Sequence, residues 1–242
     1  MIHMNMNGSF NSIAIMINIL EWAVIGLLAY KTYKKRTVNP KVWKVMVAIF
    51  VGLFAFTIDV EWFDTPVKIP VLPLGVWILY GVLNRKEDRW DTYRPYAWIG
   101  FFGNAFVLAG ALIGSLVYGM VYPEDQAGTY LSDLDGASIL SIHQGAGNVT
   151  LNKEVLKKQI PSMKQEVVEG SRWYEEMYLD SEGSKTSNER FPYMLTGTSS
   201  QWGSGLDPVI FLEQDGKGLL ITTPREQYYF RSRQSVFEEG RP

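Results

Sequence analysis

The sequence predicts an α-helical membrane bundle of four transmembrane helices followed by a β-rich α+β extracytoplasmic domain. Three observations predict it. Nearly all long uncharged runs of the 242-residue chain lie before Tyr122. Charges and turn residues are frequent after it. The short loops between the apolar runs alternate in charge, as loops on alternate sides of a bilayer do.

The first expected span is 12–30, about 19 residues and able to cover about 28 Å as a helix. Asn18 and Glu21 interrupt it. The second runs over 42–58, with Lys44 near one end where its stem reaches the headgroups. The third, 67–83, carries Lys68, Pro70 and Pro73 at its start, where the first helical turn has unused N–H groups and tolerates proline. The fourth, 97–122, has no charge at all. A soluble amphipathic helix shows a polar face, and this run has none. Residues 1–122 thus form the expected membrane domain and 123–242 the expected soluble one.

Loop charge sets the expected orientation. Lys31, Lys34, Lys35, Arg36, Lys41 and Lys44 surround the first loop, and Arg85, Lys86, Arg89 and Arg94 the third. The second holds Asp59, Glu61 and Asp64 against Lys68. Basic loops stay in the cytoplasm, so the N-terminus and the C-terminal domain fall outside a cell membrane crossed several times. Residues 1–11 contain no Lys or Arg, and the first apolar run ends at Tyr30-Lys31 without a small-residue cleavage site. This reads as a retained helix rather than a cleaved signal. Trp43, Trp62, Trp90 and Trp98 fall near the expected helix ends, where amphipathic rings prefer the headgroup region.

Residues 122–242 carry 12 Lys/Arg and 18 Asp/Glu, a net charge of about −6. Nucleic-acid binding needs cations that displace phosphate counterions, so that class is excluded. The chain has no cysteine, which removes disulfides and thiolate chemistry. A linker is expected over 123–129, and strands over 137–143, 148–151 and 172–179. Residues 151–160 fit either a helix or part of a strand pair running through 164–168. Two β-rich runs, 208–212 and 218–222, flank Asp215-Gly216, a hairpin signal. Thr223-Pro224-Arg225-Glu226 then reads as a capping box opening a helix through about Val236.

The stretch 207–230, a β-hairpin followed by this Thr-Pro-x-Glu pattern, resembles the end of bacterial pleckstrin-homology-like domains of membrane-attached proteins. The resemblance covers about a tenth of the chain. It implies strands capped by one helix and a role in binding or assembly rather than catalysis. It carries over no ligand residue.

Few residues suggest chemistry. Glu21 lies mid-span, and a carboxyl there costs roughly 2.5–3.5 kcal/mol unless it meets a partner or a cavity. Counted from the basic edge, Asn104 shares its depth, so Glu21 and Asn104 are expected to clasp the first and fourth helices. A proton relay is the alternative. Asn11, Asn18 and Glu21 fall on one helix face by their spacing. Gly110 and Gly114 form a GxxxG strip suited to helix packing, within this chain or between copies in an oligomer. Asp59, Glu61 and Asp64 read as a solvated loop rather than a cation site. His143 lacks the serine and acid pattern of a triad, and the serines of 198–205 lack a nucleophile-elbow spacing. No P-loop, dinucleotide or metalloprotease motif is present.

The functional expectation is therefore a non-enzymatic, multi-pass membrane protein without cofactor. Its partners are the lipid bilayer and a protein or peptide at the outer face, as for a sensor, an immunity-type protector or an accessory subunit. A transporter or channel component using Glu21 is the alternative.

Overall fold

The computed structural model of the chain describes residues 10–36, 40–62, 65–85, 89–143, 146–166 and 189–238. They form two compact units: Ile13–Val117, and Tyr118–Pro242 together with Met1–Ser12.

The first unit contains α1 (Ser12–Lys34), α2 (Val42–Gly52), β1 (Phe56–Trp62), β2 (Thr65–Leu72), α3 (Leu74–Leu83) and most of α4 (Arg89–Val121). Helices α1 and α4, of 23 and 33 residues, are long and apolar enough to cross a membrane. Only 11 % and 17 % of their most apolar stretches are buried, so most of that surface faces outward. A soluble core helix would bury most of its apolar surface.

The expected second and third spans are corrected. Helix α2 has 11 residues and α3 has 10, so each rises about 15–16 Å. That is half of a hydrocarbon core about 30 Å thick. The rest of both apolar runs is an antiparallel ribbon, with Ile58 opposite Ile69 and Asp59 opposite Lys68. Hydropathy does not distinguish a helix from a strand. Phe56-Thr57-Ile58-Asp59-Val60-Glu61-Trp62 alternates apolar and polar with period two, which is the signature of a strand. The structure therefore has two helices of spanning length among its described residues, rather than four.

Glycines set the helix contacts. A Cβ on Gly52 would overlap the Ala97 carbonyl, one on Gly75 the Val51 carbonyl, and one on Gly100 the Ile49 carbonyl. Without side chains there, α2 meets α3 and α4 backbone to backbone, the close approach small residues permit. On α1, Ile17, Glu21 and Ile25 recur every four residues and meet Gly114, Gly110 and Gly103 of α4. The core of the unit is Ile25, Val45, Ala48, Ile49 and Tyr96.

The second unit contains α5 (Ala127–Tyr130), β3 (Ser138–Ser141), α6 (Lys153–Gln159), β4 (Lys164–Glu166), β5 (Tyr193–Thr196), β6 (Val209–Leu212), β7 (Gly218–Thr222) and β8 (Gln227–Arg231). Among the described residues its six strands form one antiparallel sheet in the order β3-β5-β6-β7-β8-β4. Leu195, Ile210, Leu212, Leu219, Ile221 and Phe230 point from the sheet into a core completed by Tyr130, Leu131, Leu156 and Val236. Asn152 caps α6, its Oδ1 accepting the Val155 N–H at 3.0 Å. That settles 153–159 as helix, while Lys164–Glu166 pairs with β8 as a strand. The expected linker begins the fold instead, because α5 buries Ala127, Thr129 and Tyr130. Of 148–151, only Leu151 makes a β-bridge, to Phe237. The expected strand 172–179 lies outside the described residues.

The hairpin at Asp215-Gly216 forms as expected, with Gly216 at φ 69°, a left-handed conformation that glycine adopts without strain. The helix expected after Thr223 does not form. Thr223 Oγ1 does accept the Glu226 N–H, at 3.0 Å, as a capping residue would. But Thr223 N–H also donates to the Glu226 carbonyl at 2.9 Å. That closes a tight turn, and the chain returns as β8 beside β7. The same side-chain chemistry serves caps and turns. The apolar run Tyr228-Tyr229-Phe230 decides for a strand.

The loop 201–205 is held by residues of its own unit at the ends of the long helices. Ser12 N–H donates to the Gly203 carbonyl at 2.9 Å. Tyr122 and Tyr118 hydroxyls donate to the Trp202 and Ser204 carbonyls at 3.0 and 2.9 Å. Gly203, at φ 77°, takes a conformation that other residues adopt only with strain, and it leaves room for Ser12 and Tyr122.

Two outcomes follow for stability. Gly100→Ala forces α2 off α4 and costs about 2 kcal/mol as overpacking, whereas Gly81→Ala enters open space and leaves the thermal unfolding midpoint in place. Calorimetry of the full chain checks the contrast. The second prediction concerns alkaline pH. Burial pushes the Tyr130 phenol up, and pushes Tyr228 up to about 12. A raised folded pKa favours the neutral phenol, so this stability is complete below the unfolded value near 10 and is lost as pH rises through about 12. Tyrosinate absorbance and loss of strand ellipticity should rise together in that window. Ionisation of these phenols with ellipticity unchanged would contradict it.

Candidate functional site

Strands β6 and β7 carry apolar residues on both faces. Val-Ile-Phe-Leu and Gly-Leu-Leu-Ile-Thr do not alternate, and such runs mark strands whose two faces are both meant to be covered. The inward residues fill the core. On the other face the register places one residue per strand in a straight row. Leu140 is opposite Met194, Met194 opposite Phe211, Phe211 opposite Leu220, and Leu220 opposite Tyr229. Five strands at about 4.8 Å spacing make this row about 19 Å long. Leu140 is 51 % exposed at its open end, and Met194, Phe211 and Leu220 are half-buried. β3 is an edge strand, with no further strand beside it among the described residues.

The closed end of the row is built on an absent side chain. A Cβ on Gly218 would overlap the Glu213 carboxylate and crowd the Tyr229 hydroxyl. The space left by Gly218 holds a charged cluster. Tyr229 hydroxyl donates to Glu213 Oε2 at 2.6 Å, and Arg190 Nε donates to Oε1 at 2.7 Å. Arg231 Nη1 donates to Glu213 Oε2, while its Nη2 donates to Asp215 Oδ2 at 2.6 Å. The Arg190 guanidinium also lies over the rings of Phe191 and Tyr229, at 5.4 and 5.3 Å. Burial and the hydrogen bond to Glu213 push the Tyr229 phenol up. For Arg231, burial works to lower the pKa, but the bond to Tyr229 and the charges of Asp215 and Glu213 raise it overall. Buried Glu213 is paired with two part-buried guanidinium groups and the Tyr229 hydroxyl, which offsets its desolvation. The cluster thus fixes the end of the row and positions Arg190.

The other candidate residues take separate places. Glu21 is buried on α1 over Gly110, with Ile17 reaching Gly110 and Gly114. The Asn104 amide instead donates to the Leu53 and Phe101 carbonyls, each at 3.1 Å. The expected clasp between Glu21 and Asn104 is therefore corrected. Counting from the basic edge assumes that both helices cross it at matching residues. The glycine contacts put Gly110 rather than Asn104 opposite Glu21. Asn18 is exposed and donates back to the Ala14 carbonyl at 2.9 Å, so it does not share the buried face of Glu21. Asp59 pairs across the ribbon with Lys68 in register. Asp64 lies outside the described residues. Among the described residues no group of three His, Asp or Glu side chains could hold a metal ion.

The outer row is not among the sequence expectations, although the non-alternating strands carry its signal. Comparison with protein-family models, with curated proteins and with solved structures found no match.

Glu213→Ala leaves two part-buried guanidinium groups without their shared partner, so it costs about 2 kcal/mol. Glu213→Gln keeps the acceptor oxygen and costs less. Chemical denaturation of the full chain, followed by ellipticity, measures the difference.

Proposed function

We propose that the protein is a membrane-anchored binding protein, held by α1 and α4, whose sheet unit takes a protein or peptide segment on its outer face. The observation that carries this reading is the apolar row of Leu140, Met194, Phe211 and Leu220. It lies half-open on a sheet face between an exposed edge strand and a fixed charged cluster. Binding surfaces combine an apolar centre with a polar rim. Here Ser138, Thr196 and Thr222 supply hydroxyls on one side of the row, and Arg190 and Arg231 supply donors on the other. An edge strand can also accept an extended peptide through its outward backbone groups.

The orientation read from loop charge belongs to the same proposal. The basic segments beside α1, α2 and α4 lie in the cytoplasm, and the sheet unit lies outside a cell membrane. A pleckstrin-homology-like relation now rests on the β6–β7 hairpin alone, since the final helix of that pattern is strand β8. The transport reading has less support. Glu21 packs on a glycine and has no hydrogen-bond or ion-pair partner among the described residues, whereas a proton pathway needs a chain of such groups.

A photo-crosslinking phenylalanine analogue at Phe211 of the full chain, in cells, tests the surface. It should capture a discrete partner. The same analogue at Thr223, on the β7–β8 turn, should not. Met194→Glu should reduce capture at Phe211 at least about tenfold, a loss typical of a charge placed in an apolar contact, with the unfolding midpoint retained. Equal capture from both positions, or capture indifferent to Met194→Glu, would refute the surface.

A further inference from the structure

A second open site lies within the helical unit. The start of α2, the end of α3 and the start of α4 enclose a groove of about 510 Å³. Its wall is aliphatic, from Val47, Leu79 and Val82. Its rim carries two cations, Lys44 and Arg89, and the indole of Trp43, with Lys44 Nζ 5.6 Å from the centre of that ring. Val47 and Val82 are 47 % and 65 % exposed, so the wall opens outward rather than into the core.

The groove sits where the chain concentrates positive charge. Segments 31–44 and 85–94 together carry ten Lys/Arg against Glu87, Asp88 and Asp91. A site with cations and an indole at its mouth and hydrocarbon at its floor matches an amphiphile with an anionic head and an acyl tail. Indoles and basic side chains of this kind sit at headgroup level. Basic pockets between membrane helices take anionic lipid headgroups. A soluble anion would use the rim but not the wall, and a neutral lipid would use the wall but not both cations.

We propose that this groove binds one anionic phospholipid, its phosphate between Lys44 and Arg89 and an acyl segment against Val47, Leu79 and Val82. The proposal rests on the membrane reading of α1 and α4. It gives the short helices α2 and α3 a role that does not require them to cross the bilayer: they are two walls of a lipid site at its edge.

The test uses the full chain in nanodiscs of phosphatidylcholine with a minor fraction of phosphatidylglycerol, followed by native mass spectrometry of retained lipid. The wild-type chain should retain one phosphatidylglycerol in preference to phosphatidylcholine. Lys44→Gln with Arg89→Gln should weaken that retention about 30-fold, the effect of two headgroup-level charges. Lys34→Gln with Lys35→Gln removes as much charge from the same end without touching the groove and should leave retention near the wild-type level. Val82→Trp, which fills the aliphatic part of the groove, should reduce retention while both cations remain. Equal loss from the two double variants would show diffuse attraction to the surface and overturn the site. So would retention indifferent to Lys44→Gln with Arg89→Gln. Alkaline carbonate washing of native membranes separates the membrane reading from the groove. A chain that stays in the pellet but shows no lipid preference refutes the groove alone, and a chain released by the wash refutes the membrane reading and the groove with it.

Discussion

The interior of a bilayer admits a backbone only where its polar groups are bonded within the segment, and only when the segment spans about 30 Å. On the proposed membrane reading, that constraint orders the helical unit. Helices α1 and α4 satisfy it by length. Helices α2 and α3 do not, and the ribbon between them has outer strand edges that no described residue pairs. Hydrocarbon does not tolerate such edges. The unit therefore divides into two elements able to cross and a helix–ribbon–helix element fastened beside them. The fastening is glycine. Gly52, Gly75 and Gly100 let three backbones touch, and Gly103, Gly110 and Gly114 receive Ile25, Glu21 and Ile17. In lipid, where there is little hydrophobic drive for one helix to prefer another, close van der Waals contact of this kind is what would hold the helices together.

The sheet unit answers to a different constraint. Its inward face has a core of its own, from Tyr130 and Leu156 to Phe230 and Val236. Its outer face is apolar along one row and charged at one end. Gly218 links the two, because the missing side chain makes space for Glu213, and Glu213 gathers Arg190, Arg231 and Tyr229. The same fold thus produces a stable interior and an incompletely covered exterior. The second of these supports the proposed binding role.

Much of the fold is legible in the sequence, and the failures have physical causes. Helices α1 and α4 stand out because long, predominantly apolar runs suit hydrocarbon and are costly in water, and in α4 the stretch 97–122 carries no charge at all. Asp215-Gly216 announces the β6–β7 hairpin, its glycine taking the left-handed turn position. Hydropathy misreads 56–58 and 67–72, because apolar residues serve a strand as well as a helix. The alternation from Phe56 to Trp62 carries the correct answer. Thr223 misleads because a hydroxyl that accepts an N–H three residues on caps a helix and closes a turn with nearly the same geometry. The contact between Glu21 and Asn104 fails for want of helix register, which a count from loop edges does not supply. Gly110 and Gly114 are recognisable as a packing strip, but the residues they receive depend on how α1 sits against α4, and that is a tertiary fact. The outer row of the sheet depends in the same way on strand register, which no single strand reveals.

The central claim is that two helices hold the sheet unit on the outer side of a membrane, with the basic segments inside. The chain has no cysteine, so single cysteines report directly. Lys35→Cys, just past the end of α1, and Lys158→Cys, exposed on α6, are treated in intact cells with a membrane-impermeant thiol reagent. The account predicts labelling at position 158 and protection at position 35 until the membrane is permeabilised. Labelling at 35 with protection at 158 would reverse the orientation, and labelling of both in intact cells would contradict a chain that crosses the membrane at α1.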